Sequence, residues 1–218
     1  MRVVAFVPMK LNNERLPNKN TKPFDNGKPL LHFVFATLRK CRGIDAIYAY
    51  CSDRAVVQHL PSDVRYLARE TILDRPETLI NEVMLAFAKA VEADVYVLAH
   101  ATAPFISAAT IELGISKILH HEYDSALSVM KLQEFFWKDG KPMNYDPRSI
   151  PRTQDLHPIH VETTGLYIYR RELIVEQNRR VGDHPFLIEV SRIEGTDIND
   201  AIDFAVANAL ASAGLAGN

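Results

Sequence analysis

The order of apolar and polar positions divides the chain into strand-like and helix-like segments that alternate. Val3-Val4-Ala5-Phe6-Val7 is a short unbroken run of β-branched and aromatic residues, the pattern of a strand buried on both faces and the opening of a parallel sheet. Residues 30–39 follow Pro29 and stop short of Gly43, which predicts a first helix. Further strands are expected at 44–50, 64–67, 94–99, 124–130, 160–169 and 186–190. Apolar residues recur at helical spacing over 79–92 (Leu79, Ile80, Val83, Met84, Phe87, Ala88, Val91) and over 108–121 (Ile111, Leu113, Ile115, Ile118, Leu119). Thr78 is placed to cap the first of these. Shorter helices are expected from an N-cap at Ser52 to about Leu60 and over 170–178, and an alanine-rich helix ends near Ala213. Strands alternating with helices predict an α/β fold: one three-layer domain over 1–218, its mostly parallel sheet covered by helices on both faces.

The segments between these elements carry the candidate chemistry. Residues 8–23 leave the first strand, show no periodicity, and gather four cations (Lys10, Arg15, Lys19, Lys22) and four asparagines (Asn12, Asn13, Asn18, Asn20). In open α/β sheets ligands bind beyond the carboxyl ends of the strands, and a long connection there suits a binding role. Cations neutralise phosphate oxygens, and asparagine tolerates the left-handed backbone that a phosphate cradle needs. A Walker-type glycine loop is absent, so such a site depends on side-chain cations. The competing reading is a solvated basic loop. A second polar connection, 68–78, carries Arg69 and Arg75. A third region, 131–158, is rich in Pro, Lys, Arg, Asp and aromatics (Phe135, Phe136, Trp137), without linker composition, and reads as an ordered excursion whose exposed aromatics need a partner.

Composition narrows the partners. A chain of 218 residues with 47% hydrophobic content can bury one substantial core, and a formal charge of -2 with basic residues spread along the chain gives no field that would draw it to nucleic acid or membrane. Small molecules are the expected ligands. Cys41 and Cys51 have no metal-binding spacing and suit a reducing compartment. No apolar run reaches membrane-spanning length and no signal-peptide pattern precedes the first strand, so a cytoplasmic location is expected.

Arg15-Leu16-Pro17-Asn18-Lys19-Asn20 resembles the R-L-P-x-K-N signature of the acylneuraminate cytidylyltransferase family, the CMP-sialic acid synthetase-like enzymes, in which it follows the first strand of a Rossmann-like nucleotidyltransferase domain. Only this string is specific, although weaker similarity runs to the last helix. The resemblance implies that Lys10, Asn12, Arg15, Lys19, Asn20, Ser52 and Arg69 bind the nucleotide. Lys10 stands where the family has an arginine, and Ser52 and Asp53 also read as simple helix caps. Residues 100–105 are similar to the family's Q-P-T-S-P-L step, with His100 at the glutamine, so His100 and Thr102 fall on the acceptor side. Thr164 and Gly165 do likewise, in a segment similar to N-G-A-I-Y-I, with Thr164 at the asparagine. The region 131–160 then corresponds to a dimerisation arm that completes the neighbouring acceptor pocket. Residues 197–203 resemble a D-I-D-T-x-x-D step that holds Mg²⁺ on the triphosphate, implying Asp197, Asn199 and Asp200 as ligands. These same residues also read as an N-cap cluster, with Asn199 as the cap.

The expected reaction is cytidylyl transfer from CTP to a nonulosonic, sialic-acid-like sugar acid with release of pyrophosphate, Mg²⁺ as cofactor and Lys10, Lys19 and Asp197 as the catalytic set. A rival keeps the chemistry but takes a small phosphate or phosphonate as acceptor. A third reading, from another class, is a catalytically silent nucleotide-binding dimer, prompted by Lys10 for arginine and Asn199 for aspartate.

Overall fold

Burial along the first strand explains the layering. In β1 (Val3–Met9), Val3, Ala5, Val7 and Met9 face one apolar cluster, while Val4 and Phe6 face another. A strand with both faces apolar requires a helical layer on each side. The computed structural model describes residues 1–13 and 15–215, and in chain order the regular elements after β1 are α1 (Leu30–Leu38), β2 (Ala46–Cys51), β3 (Arg65–Ala68), α2 (Ile80–Ala90), β4 (Val95–Ala99), α3 (Ala108–Leu119), β5 (Ser125–Leu132), β6 (Trp137–Lys138), β7 (Lys141–Pro142), β8 (Ile159–Arg170), α4 (Arg171–Val175), β9 (Pro185–Glu189) and α5 (Ala201–Ser212). No helix among the described residues is long and apolar enough to cross a membrane.

Seven strands form one sheet in the order β3-β2-β1-β4-β8-β5-β9. β8 pairs antiparallel with both β4 and β5, and the other pairings are parallel. Leu31, Val34, Phe35 and Leu38 of α1 and Ile111, Ile115 and Ile118 of α3 cover one face. Val83, Met84, Phe87 and Ala88 of α2 with Leu173 and Ile174 of α4 cover the other. Phe6 stacks on Phe87 at 4.1 Å between ring centroids, a contact worth about 0.5–1.5 kcal/mol beyond the area it buries. A third cluster, Leu16, Phe24, Leu30, Phe105, Ile198, Phe204 and Ala207, docks α5 against the basic loop.

Local capping departs from expectation in three places. The turn at Arg54–His59 is 3-10 and is capped by Asp53, whose carboxylate accepts from Ala55 N at 2.8 Å; Ser52 turns away to Asp74. Thr78 does not cap α2: its hydroxyl donates to the Ile72 carbonyl, and Glu82 instead accepts from Leu79 N at 3.0 Å. The cap of α5 is Asp200, not Asn199. Asp200 Oδ1 accepts from the backbone N–H of Ile202 and Asp203, and Asp203 returns the contact to the N–H of Asp200, a reciprocal box whose two carboxylates also face the positive end of the helix. The helix expected over 170–178 also ends early, at Val175.

β8 is the irregular strand. Between the pairs Leu127↔Tyr167 and Val129↔Glu162 its register with β5 shifts, and the slack falls at residues 163–166. Thr163 pins this bulge to Ser128 through a hydroxyl contact of 2.6 Å, and Thr164 adopts φ 57°. Gly165 lies in mid-strand, within the strand expected over 160–169. A Cβ there would come 2.6 Å from Ala103 Cβ, so the close approach it permits is to the Ala103 side chain of the same molecule. Beyond the bulge β5 and β8 continue as a two-stranded ribbon from which the 133–158 excursion hangs. A small hairpin, β6 and β7, turns at Asp139-Gly140 with both residues at positive φ, and Phe135 and Trp137 pack around Tyr145.

Candidate functional site

Parallel strands β1, β2, β3 and β4 deliver their next residues to one rim: Lys10, Ser52, Arg69 and His100. Because β1 lies between β2 and β4, the connections leaving β1 and β4 diverge to opposite sides and open a crevice between them, as at the switch point of other open α/β sheets.

The basic loop is anchored over this crevice. Leu16 and Phe24 are buried in the third cluster, and buried Asn20 donates through Nδ2 to the Lys10 carbonyl at 2.9 Å. Asn18, at φ 55°, turns the chain into the 3-10 turn Lys19–Thr21. Lys10 Nζ donates to the Asp74 carbonyl at 2.9 Å and Lys19 Nζ to the Ile198 carbonyl at 2.7 Å. Each ammonium has three N–H groups and one is used, so both retain donors. Burial lowers the Lys19 pKa, and the repulsion of Arg15 adds to this against the attraction of Asp197 and Asp203.

Two adjoining cavities of about 300 Å³ each share Lys10, Asn13 and Lys19. Arg15 and Asn199 line one; Asn20, Arg69, Arg75, His100 and Thr102 line the other. The structure therefore brings Lys10, Arg15, Lys19, Asn20 and Arg69 to one crevice. Asn12 and Ser52 lie apart from it, in a neighbouring hollow of about 360 Å³. Arg69 is buried and ion-paired with Asp74, which also accepts from the Ser52 hydroxyl.

His100 and Gly165 are joined through the backbone, His100 N donating to Gly165 O at 3.0 Å, and the Thr102 carbonyl accepts from Ile198 N at 2.9 Å. Burial, reinforced by Arg180, pushes the His100 pKa down to about 4 despite the pull of Asp197, so the imidazole is neutral at pH 7. Thr164 Oγ1 donates to Asp197 Oδ2 at 3.4 Å, and Asn199 Nδ2 donates to the same oxygen at 2.8 Å. Asp197 is thus held by the bulge of β8 and by its own turn. With one Asp200 oxygen committed to the helix cap, no group of three or more His, Cys, Asp or Glu suited to a metal exists among the described residues. Mg²⁺ usually takes one or two carboxylates and completes its shell with phosphate and water. Asp197, which accepts from the cavity-lining Asn199 and acts electrostatically on Lys19, fits that mode and does not make an all-protein cage.

Sequence reasoning passed over two groups. Asp74 joins the ends of β1, β2 and β3, and the available signal was an acid between two arginines in a polar connection. Arg180 lies 3.9 Å from the Tyr167 ring centroid and 3.6 Å from Glu162, whose carboxylate accepts from the Tyr167 hydroxyl at 2.5 Å. Nothing local marks Arg180, because the bulge and the α4–β9 connection bring it there.

Comparison with known proteins places the chain. The family model described as Cytidylyltransferase matches residues 4–206. A 3-deoxy-manno-octulosonate cytidylyltransferase of Hydrogenovibrio crunogenus is 26% identical over 188 residues, covering 84% of this chain and 70% of that protein. An N-acylneuraminate cytidylyltransferase A of Danio rerio is 31% identical over 124 residues, 53% of this chain and 29% of the fish protein. In fold, the chain is similar to a CMP:2-keto-3-deoxy-manno-octonic acid synthetase complexed with CTP (TM-score 0.72, 15% identity, 98% and 100% of the two chains). It is also similar to a 4-diphosphocytidyl-2C-methyl-D-erythritol synthase of Anaerococcus prevotii (TM-score 0.69, 12% identity, 97% and 96%). With the matched region running from the first strand into the last helix, the chain belongs to the cytidylyltransferase family.

Proposed function

We propose that the protein transfers CMP from CTP to a nonulosonic sugar acid. An acceptor oxygen attacks the α-phosphorus, the bond to the β-phosphate oxygen breaks, and pyrophosphate leaves. The observation that carries this reading is the convergence of Lys10, Arg15 and Lys19 on one cavity that continues to Arg69 on one side and His100 on the other. Charge of that density suits a triphosphate, and such a transfer needs positioning and charge stabilisation more than a covalent nucleophile. Lys10 and Lys19 hold phosphate oxygens through their unused N–H groups. Asp197 holds Mg²⁺, which when bound neutralises the charge developing on the leaving group. Neutral His100, beside Thr164 and Gly165, faces the acceptor.

Two relatives named for sugar acids support the acceptor class. The 133–158 arm, with Trp137 58% and Ile150 66% exposed, serves as the surface of a homodimer. The test is pyrophosphate release from CTP and Mg²⁺ with a panel of nonulosonic acids and small phosphates. Release with a sugar acid is the expected result. Release only with phosphates transfers the reading to that acceptor class, and CTP binding without release under any condition leaves a silent nucleotide-binding protein.

A further inference from the structure

We infer that the protein carries a second small-molecule site, on the flank of α2, for a flat apolar molecule bearing an amine, and that this site is linked to the crevice through the 3-10 turn Thr71–Asp74. α2 turns Val83, Met84, Phe87 and Ala88 to the sheet. Its next flank closes a cavity of about 530 Å³ against the ends of β2 and β3 and that turn. The volume lies within the roughly 300–1,000 Å³ of small-molecule sites and exceeds that of either half of the crevice. Leu73, Leu85, Ala86 and the Tyr50 ring make its walls apolar, and its polar groups are the Tyr50 hydroxyl, Glu70, Glu82 and Lys89.

Tyr50 is the group that points to a ligand. It is only 4% exposed, its ring is held against Phe87 at 5.3 Å between centroids, and its hydroxyl has no hydrogen-bond partner among the described residues. The unpartnered atoms sealed from solvent are Asn13 Oδ1, Arg69 Nε and Tyr169 Oη; the Tyr50 oxygen is not one of them, so it keeps an open face, and that face meets the cavity Tyr50 lines. Burial raises its pKa against the opposing pull of Arg69, with Glu70 adding to the rise, so the hydroxyl keeps its proton at pH 7 and can donate or accept. Charge then selects the ligand. Two carboxylates, Glu70 and Glu82, face one ammonium, Lys89, and Glu82 commits one oxygen to Leu79 N, leaving the other. Apolar walls take a ring, the Tyr50 hydroxyl takes one polar atom of that ring, and the acidic rim takes an amine. Leu73 supplies the link: it lines both this cavity and the crevice, and its N–H donates to the Glu70 carbonyl at 3.0 Å. A ligand resting on these two residues bears on the turn that ends at Asp74, which holds the Arg69 guanidinium on its carboxylate and Lys10 Nζ on its carbonyl.

The test titrates tryptamine, an indole with a protonated amine, into the full chain without nucleotide and follows it by amide NMR and calorimetry, beside neutral 3-propylindole and anionic indole-3-propionate. Saturable one-to-one binding is expected, with shifts centred on Tyr50, Ala68, Leu73 and Ala86 and reaching Asp74 and Lys10. Tryptamine should bind about threefold or more tighter than either comparison indole, the effect of two exposed carboxylates on one cation. Tyr50→Phe should weaken tryptamine severalfold, and Ala86→Phe, which fills the cavity, should abolish its binding. No saturable binding, equal affinity for all three indoles, or tryptamine binding that survives Ala86→Phe would overturn the site. Shifts confined to the cavity, with none at Asp74 or Lys10, would overturn the link to the crevice. If Ala86→Phe does not fold, Glu70→Gln at an exposed position decides in its place: a smaller preference for tryptamine supports the site and an unchanged one refutes it. No nucleotide is present, so failure of the CTP reading leaves each of these results standing.

Discussion

Replacing Lys19 by alanine tests whether the anchored basic loop binds phosphate. Lys19 Nζ is half-buried and spends one N–H on the Ile198 carbonyl at 2.7 Å, leaving two for phosphate oxygens. One charge-assisted hydrogen bond is worth about 1.5–3 kcal/mol, which corresponds to a loss of CTP affinity of roughly 10- to 150-fold. The substitution also leaves the Ile198 carbonyl unpaired, at a cost near 1 kcal/mol in stability. Lys19→Met keeps the packing of the stem and separates that cost from the loss of charge. Calorimetric titration with CTP at two salt concentrations is the assay, and the variant should show a weaker salt dependence as well as a weaker Kd. The contribution of the charge is present below the Lys19 pKa and lost above it. Because burial lowers that pKa, affinity should fall at a lower pH than an exposed lysine would dictate. Unchanged CTP affinity in Lys19→Ala would return residues 8–23 to a solvated surface loop.

Asp197→Asn should abolish Mg²⁺-dependent turnover with the fold intact, while Asn199→Asp should tighten the apparent Mg²⁺ affinity; coincident titration curves would mean that Asn199 has no part in metal binding. The His100 pKa of about 4 lies below the ordinary 6.5, so the unfolded chain takes up its proton first. Stability present above pH 6.5 should fall by roughly 3 kcal/mol as pH drops through that window, and His100→Gln should flatten this part of the denaturation profile. Thr164 is a β-branched residue at φ 57°, so Thr164→Asn should stabilise the fold by about 1 kcal/mol in thermal melts; a lower melting temperature would show that the Asp197 contact outweighs the strain. Sedimentation at micromolar concentration should find a dimer that Trp137→Ala weakens, and a monomeric parent would refute the role given to the arm.

The layers and their order could be read in the chain because they depend on local patterns. Val3 to Val7 alternates between two apolar clusters, and the spacing Val83, Met84, Phe87, Ala88 defines one helix face. Element types were correct where the period was clean, and errors gathered where two polar residues competed for one cap, as Ser52 with Asp53 and Asn199 with Asp200. Hydrogen-bond reach, fixed by the backbone that the rest of the fold imposes, decides such contests in three dimensions. The basic loop stood out by composition, but its anchoring through Leu16, Asn20 and Phe24 did not, since their partners come from distant segments. Asp74, Arg180 and the β8 bulge escaped for the same reason. A register shift is a property of two strands, and the sequence of one shows no sign of it.

The third apolar cluster has a consequence for how the protein is made. Leu16 and Phe24 share it with Ile198 and Phe204, and Lys19 meets the Ile198 carbonyl across 179 positions of chain. During synthesis at about 5–20 residues per second, the basic loop waits roughly 9–36 s for the segment that closes it. Over that interval β1 and its neighbours can pair, whereas the cation-rich loop has Leu30 and Phe105 beneath it but lacks the part of its floor that Ile198, Phe204 and Ala207 supply. A ribosome-bound chain halted before residue 198 should therefore hold a protected sheet and a loop open to proteases, and protection of the loop should appear abruptly once α5 has emerged.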